Sequence, residues 1–341
     1  MKKQIIIQPD SSAWPWTAAP SDYPSTMPDG SPWPRITIVT PSFNQGQYLE
    51  ETILSVLNQG YPNLEYIIID GDSTDGSVDI IKKYEDRIAY WVSEPDHGQP
   101  HAINKGFERA TGDWIAWLNS DDIYLPTTFW EIAKTATKNT DVQWIVGETI
   151  FANEKLQEKW RFSPHYNTGT WRDSHFQLTN TWTDFVCAKK SGTALPQPSS
   201  FWSHNAVKDA GVINEDFHYA MDHEYYIRLA RKGYSPLCID KPLAVYRDNS
   251  QSKTSQGKLP FWIEELEITS QYLPDATSME RKILLDYKKW LRCQIVELQL
   301  REKISKVPFA SSLEKIIPYS TNSFISRLRR RLYQSVRRFK F

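Results

Sequence analysis

Asn119, Ser120, Asp121 and Asp122 follow the apolar run 114–118. Adjacent carboxylates at a strand end suit a hard cation with oxygen ligands, provided substrate phosphate completes the shell. The same residues also suit a turn or a helix cap ahead of Pro126, and residue types alone leave both open. Asp70 closes a β-branched run and opens the stretch Gly71, Asp72, Ser73, Thr74, Asp75, Gly76. A carboxylate there is costly unless something donates to it, and a nucleobase imide or ribose hydroxyl is a suitable donor. Capping of the next helix by Thr74 or Asp75 is the plainer use of that stretch. Asp96, His97, Gly98 and Gln99 precede a helical pattern containing Lys105; such an N-terminus suits a phosphate, while Lys105 equally suits a solvated helix face. Asp222 stands near the start of another helical pattern. It is a ready N-cap, and it is also the type of group that takes a proton from an attacking hydroxyl.

Something must bring these clusters together. Apolar and β-branched runs at 36–40, 65–69, 88–92, 114–118 and 142–146 predict strands, and 3.6-residue periodicity predicts helices at 48–59, 77–84, 100–110 and 127–138. Strict alternation of this kind implies an α/β fold, a Rossmann-like, mostly parallel sheet covered by helices. Ligands of such sheets sit beyond the carboxyl ends of the strands. Each of the first four predicted strands is followed by a polar segment, 40–44, 70–75, 93–99 and 119–122, so four polar loops are expected on one rim. Residues 150–200 read as irregular, 221–232 as helix, 237–246 as strand and 261–303 as helical.

The 341 residues exceed the roughly 150-residue domain prior, and 40% hydrophobic against 24% charged residues is the balance of a globular protein with a substantial core. Forty Lys and Arg against 41 Asp and Glu leave no field that favours nucleic acid. Three dispersed cysteines, Cys187, Cys238 and Cys293, form no disulfide framework or metal knuckle and point to a reducing compartment. No run approaches the ~18 apolar residues of a membrane span, and residues 1–8 lack a signal-peptide core. The ends differ from the middle. Residues 1–34 carry Pro9, Pro15, Pro20, Pro24, Pro28, Pro32 and Pro34 with Trp14, Trp16 and Trp33, which predicts an arm docked by its tryptophans. Residues 327–341 carry Arg327, Arg329, Arg330, Arg331, Arg337, Arg338 and Lys340 and no acid. On a helical wheel Phe324, Ile325, Leu328, Leu332, Val336 and Phe339 share one side. That pattern suits an anionic membrane interface, or equally a helix docked on the body.

In this order and spacing the motifs resemble inverting glycosyltransferase family 2, whose members have the GT-A fold. The matching stretches are 40–44, 70–76, 93–98, 104–106, 110–113, 119–122 with Pro126, and Met221-Asp222 with Arg228. The resemblance implies a nucleotide-sugar donor, UDP-linked, with Thr40, Asn44, Asp70 and Asp72 at the nucleoside. It implies Asp96, Gln99, Lys105, Asn119 and Ser120 along the ribose and phosphates, Asp121 with Asp122 at a divalent cation, Mg²⁺ or Mn²⁺, and Asp222 as general base. Two departures stand out: Asn119 replaces the first acid of the Asp-x-Asp signature, and Asn249 stands where relatives often carry histidine. Trp202 and Glu224 are the acceptor-side candidates, for a glycan or lipid-linked glycan. The implied organisation is an arm at 1–34, a GT-A catalytic domain at 35–254, a helical extension at 255–318 and a basic amphipathic tail at 319–341. Such an enzyme is expected in the cytoplasm, peripheral to the inner face of the cell membrane. The rivals are a sugar-nucleotide pyrophosphorylase, which would want a glycine-rich phosphate loop after the first strand, and a non-catalytic nucleotide-sugar binding module.

Overall fold

The computed structural model describes residues 14–17, 23–162, 195–250, 252–253 and 257–305. The basic tail at 319–341, Cys187, Trp171, Trp182, Thr254 and most of the arm before residue 23 lie outside the described residues. The chain divides into two units, Met1–Ser252 and Lys253–Phe341.

In the first unit, β1 (Ile36–Ser42) is buried along its whole length. It pairs in parallel with β2 (Leu64–Asp70) on one side and β4 (Trp114–Trp117) on the other, and β2 pairs in parallel with β3 (Tyr90–Ser93). β-branched runs flanked by neighbours on both sides are what a sheet buried on both faces requires. The intervening helices are α1 (Gly46–Leu57), α2 (Ser77–Lys83), α3 (Gln99–Arg109) and α4 (Thr128–Lys138). Leu49, Ile53 and Val56 of α1 join Ile36, Ile38, Tyr66 and Ile68 in the main core. Behind β1, α3 packs so closely that a Cβ on Gly106 would come within 2.3 Å of Val39 Cγ1.

The remaining strands are β5 (Ile123–Tyr124), β6 (Trp144–Asn153), β7 (Glu158–Phe162), β8 (Ser200–Ser203) and β9 (Leu237–Asp248), with helices α5 (His204–Ala210) and α6 (Met221–Arg231). The sheet order is β3-β2-β1-β4-β8-β6-β9-β5, with β7 on β6. β8 runs antiparallel to both β4 and β6, while β6 and β9 are parallel. The parallel half therefore follows the expected alternation, and the far half is mixed. Strand β6 begins where the strand at 142–146 is expected but runs on to Asn153; its last residues and β7 fall inside the stretch expected to be irregular, and β8 starts at the end of that stretch. The period of β7 and β8 is masked because Ser200–Ser203 is buried on both faces and Glu158–Phe162 is exposed or half-buried throughout.

Part of the arm docks as expected. Trp14 Nε1 donates to the Tyr124 carbonyl and Trp33 Nε1 to the Pro24 carbonyl, and Trp33 meets Tyr23, Tyr61 and Trp130 ring to ring. In the second unit α7 (Lys258–Gln271) and α8 (Ser278–Ser305) pair through Trp262 and Trp290, ring centroids 5.2 Å apart, and through Tyr287, whose hydroxyl donates to Glu265. No helix among the described residues is long and apolar enough to cross a membrane.

Candidate functional site

Because β3, β2, β1 and β4 run in one direction, the loops after them open on one edge. Backbone pairing carries the register to that edge, with Ser42 opposite Asp70 and Asp70 opposite Ser93. Two of the loops are stitched together: the Asn44 N–H donates to Ser73 Oγ, the Thr74 N–H to Asn44 Oδ1 and the Gly46 N–H to Asp75 Oδ2. Asn44 and Asp72 both take positive φ, 50° and 67°, a conformation that asparagine and aspartate tolerate better than other side-chain-bearing residues. Asp72 faces solvent. Asp70 is fully buried, and the donors it demands come from the protein: the Ser73 N–H and hydroxyl at 2.9 and 2.6 Å and the Ser93 hydroxyl at 2.7 Å. Asp96 sits so close that a Cβ on Gly71 would come within 2.9 Å of it, and it accepts from the Gly98 N–H.

At the end of β4, Asp122 is buried and holds the Arg247 N–H at 2.9 Å through Oδ1, while Oδ2 takes Asn119 Nδ2 at 3.3 Å. Asp121 is less deeply buried and accepts Asn249 Nδ2 at 2.8 Å. Burial pushes the Asp121 carboxyl above the ordinary range, against the Asn249 hydrogen bond and the Arg247 charge. Burial, and then the neighbouring Asp121 charge, push Asp122 well above it. Buried Arg247 organises the turn: Nε donates to the Asp121 carbonyl and one terminal nitrogen to the Glu154 carbonyl at 2.9 Å. Its other terminal nitrogen pairs with Glu51 of α1, and the guanidinium lies 4.6 Å from the Tyr48 ring centroid. Thr52 of α1 donates to the Ser120 and Asp122 carbonyls, so Ser120 is held by its backbone.

Among the described residues no three His, Cys, Asp or Glu side chains come together as a cation cage. The donor chemistry nevertheless fits a hard divalent cation bound through Asp121, because two crowded carboxyls whose ionised forms burial disfavours are what a cation would relieve. Such a partial set leaves positions for diphosphate oxygens and water.

On the α3 side, Gln99 Nε2 donates to Asn119 Oδ1 at 2.7 Å, and Lys105 is ion-paired with Glu94 at 2.7 Å. A Cβ on Gly98 would meet His218 Nδ1 at 3.7 Å, and Asn104 Nδ2 donates to the Ile213 carbonyl and to Glu215. The segment leading into α6, four residues before Asp222, thus borders the same edge. Asp222 is half-buried in the first turn of α6 and accepts from the His223 N–H.

Besides Asp70, Ser120 and Asp122, which are buried at the strand ends, three expected site residues lie in the interior away from that edge. Thr40 is fully buried and accepts the Tyr66 hydroxyl, because its strand position faces the main core. Trp202 is fully buried, stacked on Trp117 with centroids 5.0 Å apart and edge-on to Tyr225, so no sugar reaches its face. Glu224 is buried and paired with Arg228 one turn on, which makes it part of the α6 scaffold. Other residues take their place at the edge. Phe43 is 60% exposed, with its ring against Gly71; an aromatic inside a polar strand-end loop was the available signal. Gln197 accepts from Asn119 and donates to the Trp117 carbonyl, a pairing across about 80 residues that leaves no local trace in the sequence.

The family described as Glycosyl transferase family 2 matches residues 37–193. An uncharacterised glycosyltransferase of Mycobacterium tuberculosis (strain ATCC 25618 / H37Rv) is 30% identical over 198 residues, 58% of this chain and 69% of that protein. TuaG of Bacillus subtilis (strain 168), named as a teichuronic acid biosynthesis glycosyltransferase, is 45% identical over 92 residues, which span 26% of this chain and only 36% of TuaG. The Campylobacter jejuni GalNAc(5)-diNAcBac-PP-undecaprenol beta-1,3-glucosyltransferase is 24% identical over 267 residues, 75% of this chain and 79% of that one. Two solved structures share the fold. Staphylococcus aureus TarS 1-349 with UDP-GlcNAc aligns with TM-score 0.51 and 14% identity over 77% of this chain and 71% of its own. The Pyrobaculum calidifontis mannosyltransferase PcManGT with GDP-Man and Mn²⁺ aligns with TM-score 0.53 and 16% identity over 83% and 79%.

Proposed function

The chain belongs to glycosyltransferase family 2, and from that premise we propose that it moves a sugar from a UDP-linked donor to a hydroxyl of a glycan or lipid-linked glycan, by one displacement with inversion. The observation that carries this reading is the convergence on one sheet edge of the 43–46, 70–76 and 96–99 loops, the 119–122 turn and the segment entering α6. The nucleotide complexes of TarS and PcManGT and the undecaprenol-linked substrate in the Campylobacter name support the donor and acceptor classes.

In this reading Phe43 stacks on the base, while Asp72 and Asp96 accept from base or ribose, with Asp70 holding their loop in shape. Asp121 would hold a divalent cation, Mg²⁺ or Mn²⁺, which would supply charge to the departing diphosphate. Asp122, expected beside it at the cation, is buried with its oxygens hydrogen-bonded to the Arg247 N–H and to Asn119, and braces the turn instead. The Asp222 carboxylate takes the proton of the acceptor hydroxyl as that oxygen bonds to the anomeric carbon; the bond from that carbon to the diphosphate oxygen breaks with its electron pair, and an α-linked donor gives a β-linked product. Since general-base assistance is worth about 10² to 10⁴ in rate, Asp222→Asn is expected to lose that much turnover with Mn²⁺ while UDP affinity stays within twofold. Full turnover in this variant would overturn the assignment. The basic residues at 327–341 meet an anionic leaflet carrying the acceptor. Liposome co-sedimentation of the full chain against a chain ended at Ser326 checks this, and equal pelleting of the two refutes it.

A further inference from the structure

We propose that Asn119 is a positioning residue and not a cation ligand: its amide is the middle link of a one-way hydrogen-bond chain from Gln99 through Gln197 to the Trp117 carbonyl, and this site requires an amide there. The inference deepens the reading of a cation and sugar diphosphate at Asp121 and rests on it.

The direction of the chain is fixed from one end. A backbone carbonyl only accepts, so Gln197 turns its NH₂ to the Trp117 oxygen, 2.7 Å away. That leaves Gln197 Oε1 facing Asn119, which must donate, and it does so through Nδ2 at 3.3 Å. The second hydrogen of the same NH₂ serves Asp122 Oδ2, also at 3.3 Å. Asn119 Oδ1 is therefore turned towards Gln99, whose NH₂ reaches it at 2.7 Å. A single acceptor-only atom thus sets the orientation of three amides, and aligned chains of this kind reinforce one another in a low-dielectric interior. Gln197 and Asp122 are buried. The chain joins the segment leading into β8 to the first residue of α3, across the turn that carries Asp121.

An aspartate at 119 would keep the shape and remove both hydrogens. It would set a carboxylate oxygen 3.3 Å from Asp122 Oδ2 and from Gln197 Oε1. Flipping Gln197 to satisfy the new carboxylate only moves the oxygen-to-oxygen contact to the Trp117 carbonyl. The Asp-x-Asp residue is thus the wrong one for this chain, and the two readings of Asn119 give opposite signs. A weak ligand is improved by restoring the acid, whereas a link in an amide chain is broken by it.

The test uses the full chain as wild type, Asn119→Asp, Asn119→Ala, and each on a Gln99→Ala background. Mn²⁺ binding with UDP is followed by the electron paramagnetic resonance of free Mn²⁺, and melting is recorded in EDTA. One buried polar group left unmet corresponds to about 5- to 150-fold. Asn119→Asp is expected to bind Mn²⁺ and UDP more weakly than wild type within that range, and to melt below both wild type and Asn119→Ala in EDTA. The loss of UDP affinity from Asn119→Ala shrinks to within twofold on the Gln99→Ala background, because Asn119 acts on the nucleotide through Gln99; a packing role alone would leave the losses multiplicative. Tighter Mn²⁺ binding by Asn119→Asp, a melting temperature at or above wild type in EDTA, or multiplicative losses would each overturn the proposal. A wild type that binds neither Mn²⁺ nor UDP would refute the donor-site reading instead, while the order of melting in EDTA still decides the amide chain.

Discussion

Arg247→Met removes the cation on which the 119–122 turn is built. The guanidinium is buried, and its loss leaves the Glu51 carboxylate, whose side chain is 16% exposed, without its charged partner. The Asp121 and Glu154 carbonyls lose donors at 2.9 Å, and the Tyr48 ring loses the cation over its face. Removing one partner of a buried ion pair costs about 3–5 kcal/mol. Methionine keeps much of the aliphatic stem, so packing adds little to that figure. At about 2–4 °C per kcal/mol for a unit of this size, the melting temperature of the metal-free protein is expected to fall by about 6–20 °C. Thermal unfolding followed by near-UV circular dichroism checks the shift, and a cycle with Glu51→Gln checks its cause. If the pair dominates, the double variant is less destabilised than the sum of the singles by about 0.5–3 kcal/mol. A loss below about 1 kcal/mol, or additive singles, would show that the turn stands without Arg247.

Phe43→Ala is expected to weaken UDP binding about 5- to 150-fold by calorimetry, since one base-to-aromatic stack is worth about 1–3 kcal/mol. Stability should stay within about 0.5 kcal/mol, because the ring is 60% exposed; unchanged affinity removes Phe43 from the base site. Glu65 gives a pH signature. Burial pushes its carboxyl up, but hydrogen bonds from Thr37 and from the N–H and hydroxyl of Thr111, together with Arg35, outweigh burial and hold it below the ordinary range. A depressed carboxylate stabilises the fold above its unfolded value of about 4.3 and loses that contribution as pH falls through the folded one. Wild type should therefore exceed Glu65→Gln in urea midpoint at pH 7, with the gap closing towards pH 3; a gap that persists at pH 3 would mean that the carboxylate charge is not the source.

The parallel half of the sheet was legible because buried strands and amphipathic helices alternate there with clean periods, and Thr40 to Asp122 supply a polar segment after each strand. The far half was not, because β8 is a four-residue strand buried on both faces and β7 is a hairpin arm without alternation. Residue type located the polar edge but not which side chains point into it. Thr40 and Trp202 look available in sequence and are enclosed by Tyr66 and by Trp117 with Tyr225. The need of Asp70 for donors was correctly read, but serines 73 and 93 meet it. Arg247 and Gln197 act through partners about 80 to 200 residues away in the chain, and such pairings carry no local signal.

The order of the strands bears on how this protein can be cut. The stretch that matches the family ends at residue 193, yet β8 lies between β4 and β6, and β9 between β6 and β5. A fragment trimmed to that match would lose four strand pairings, β4 with β8, β8 with β6, β6 with β9 and β9 with β5, and an expression boundary that respects the folding of this unit has to run past Asp248, the last residue of β9.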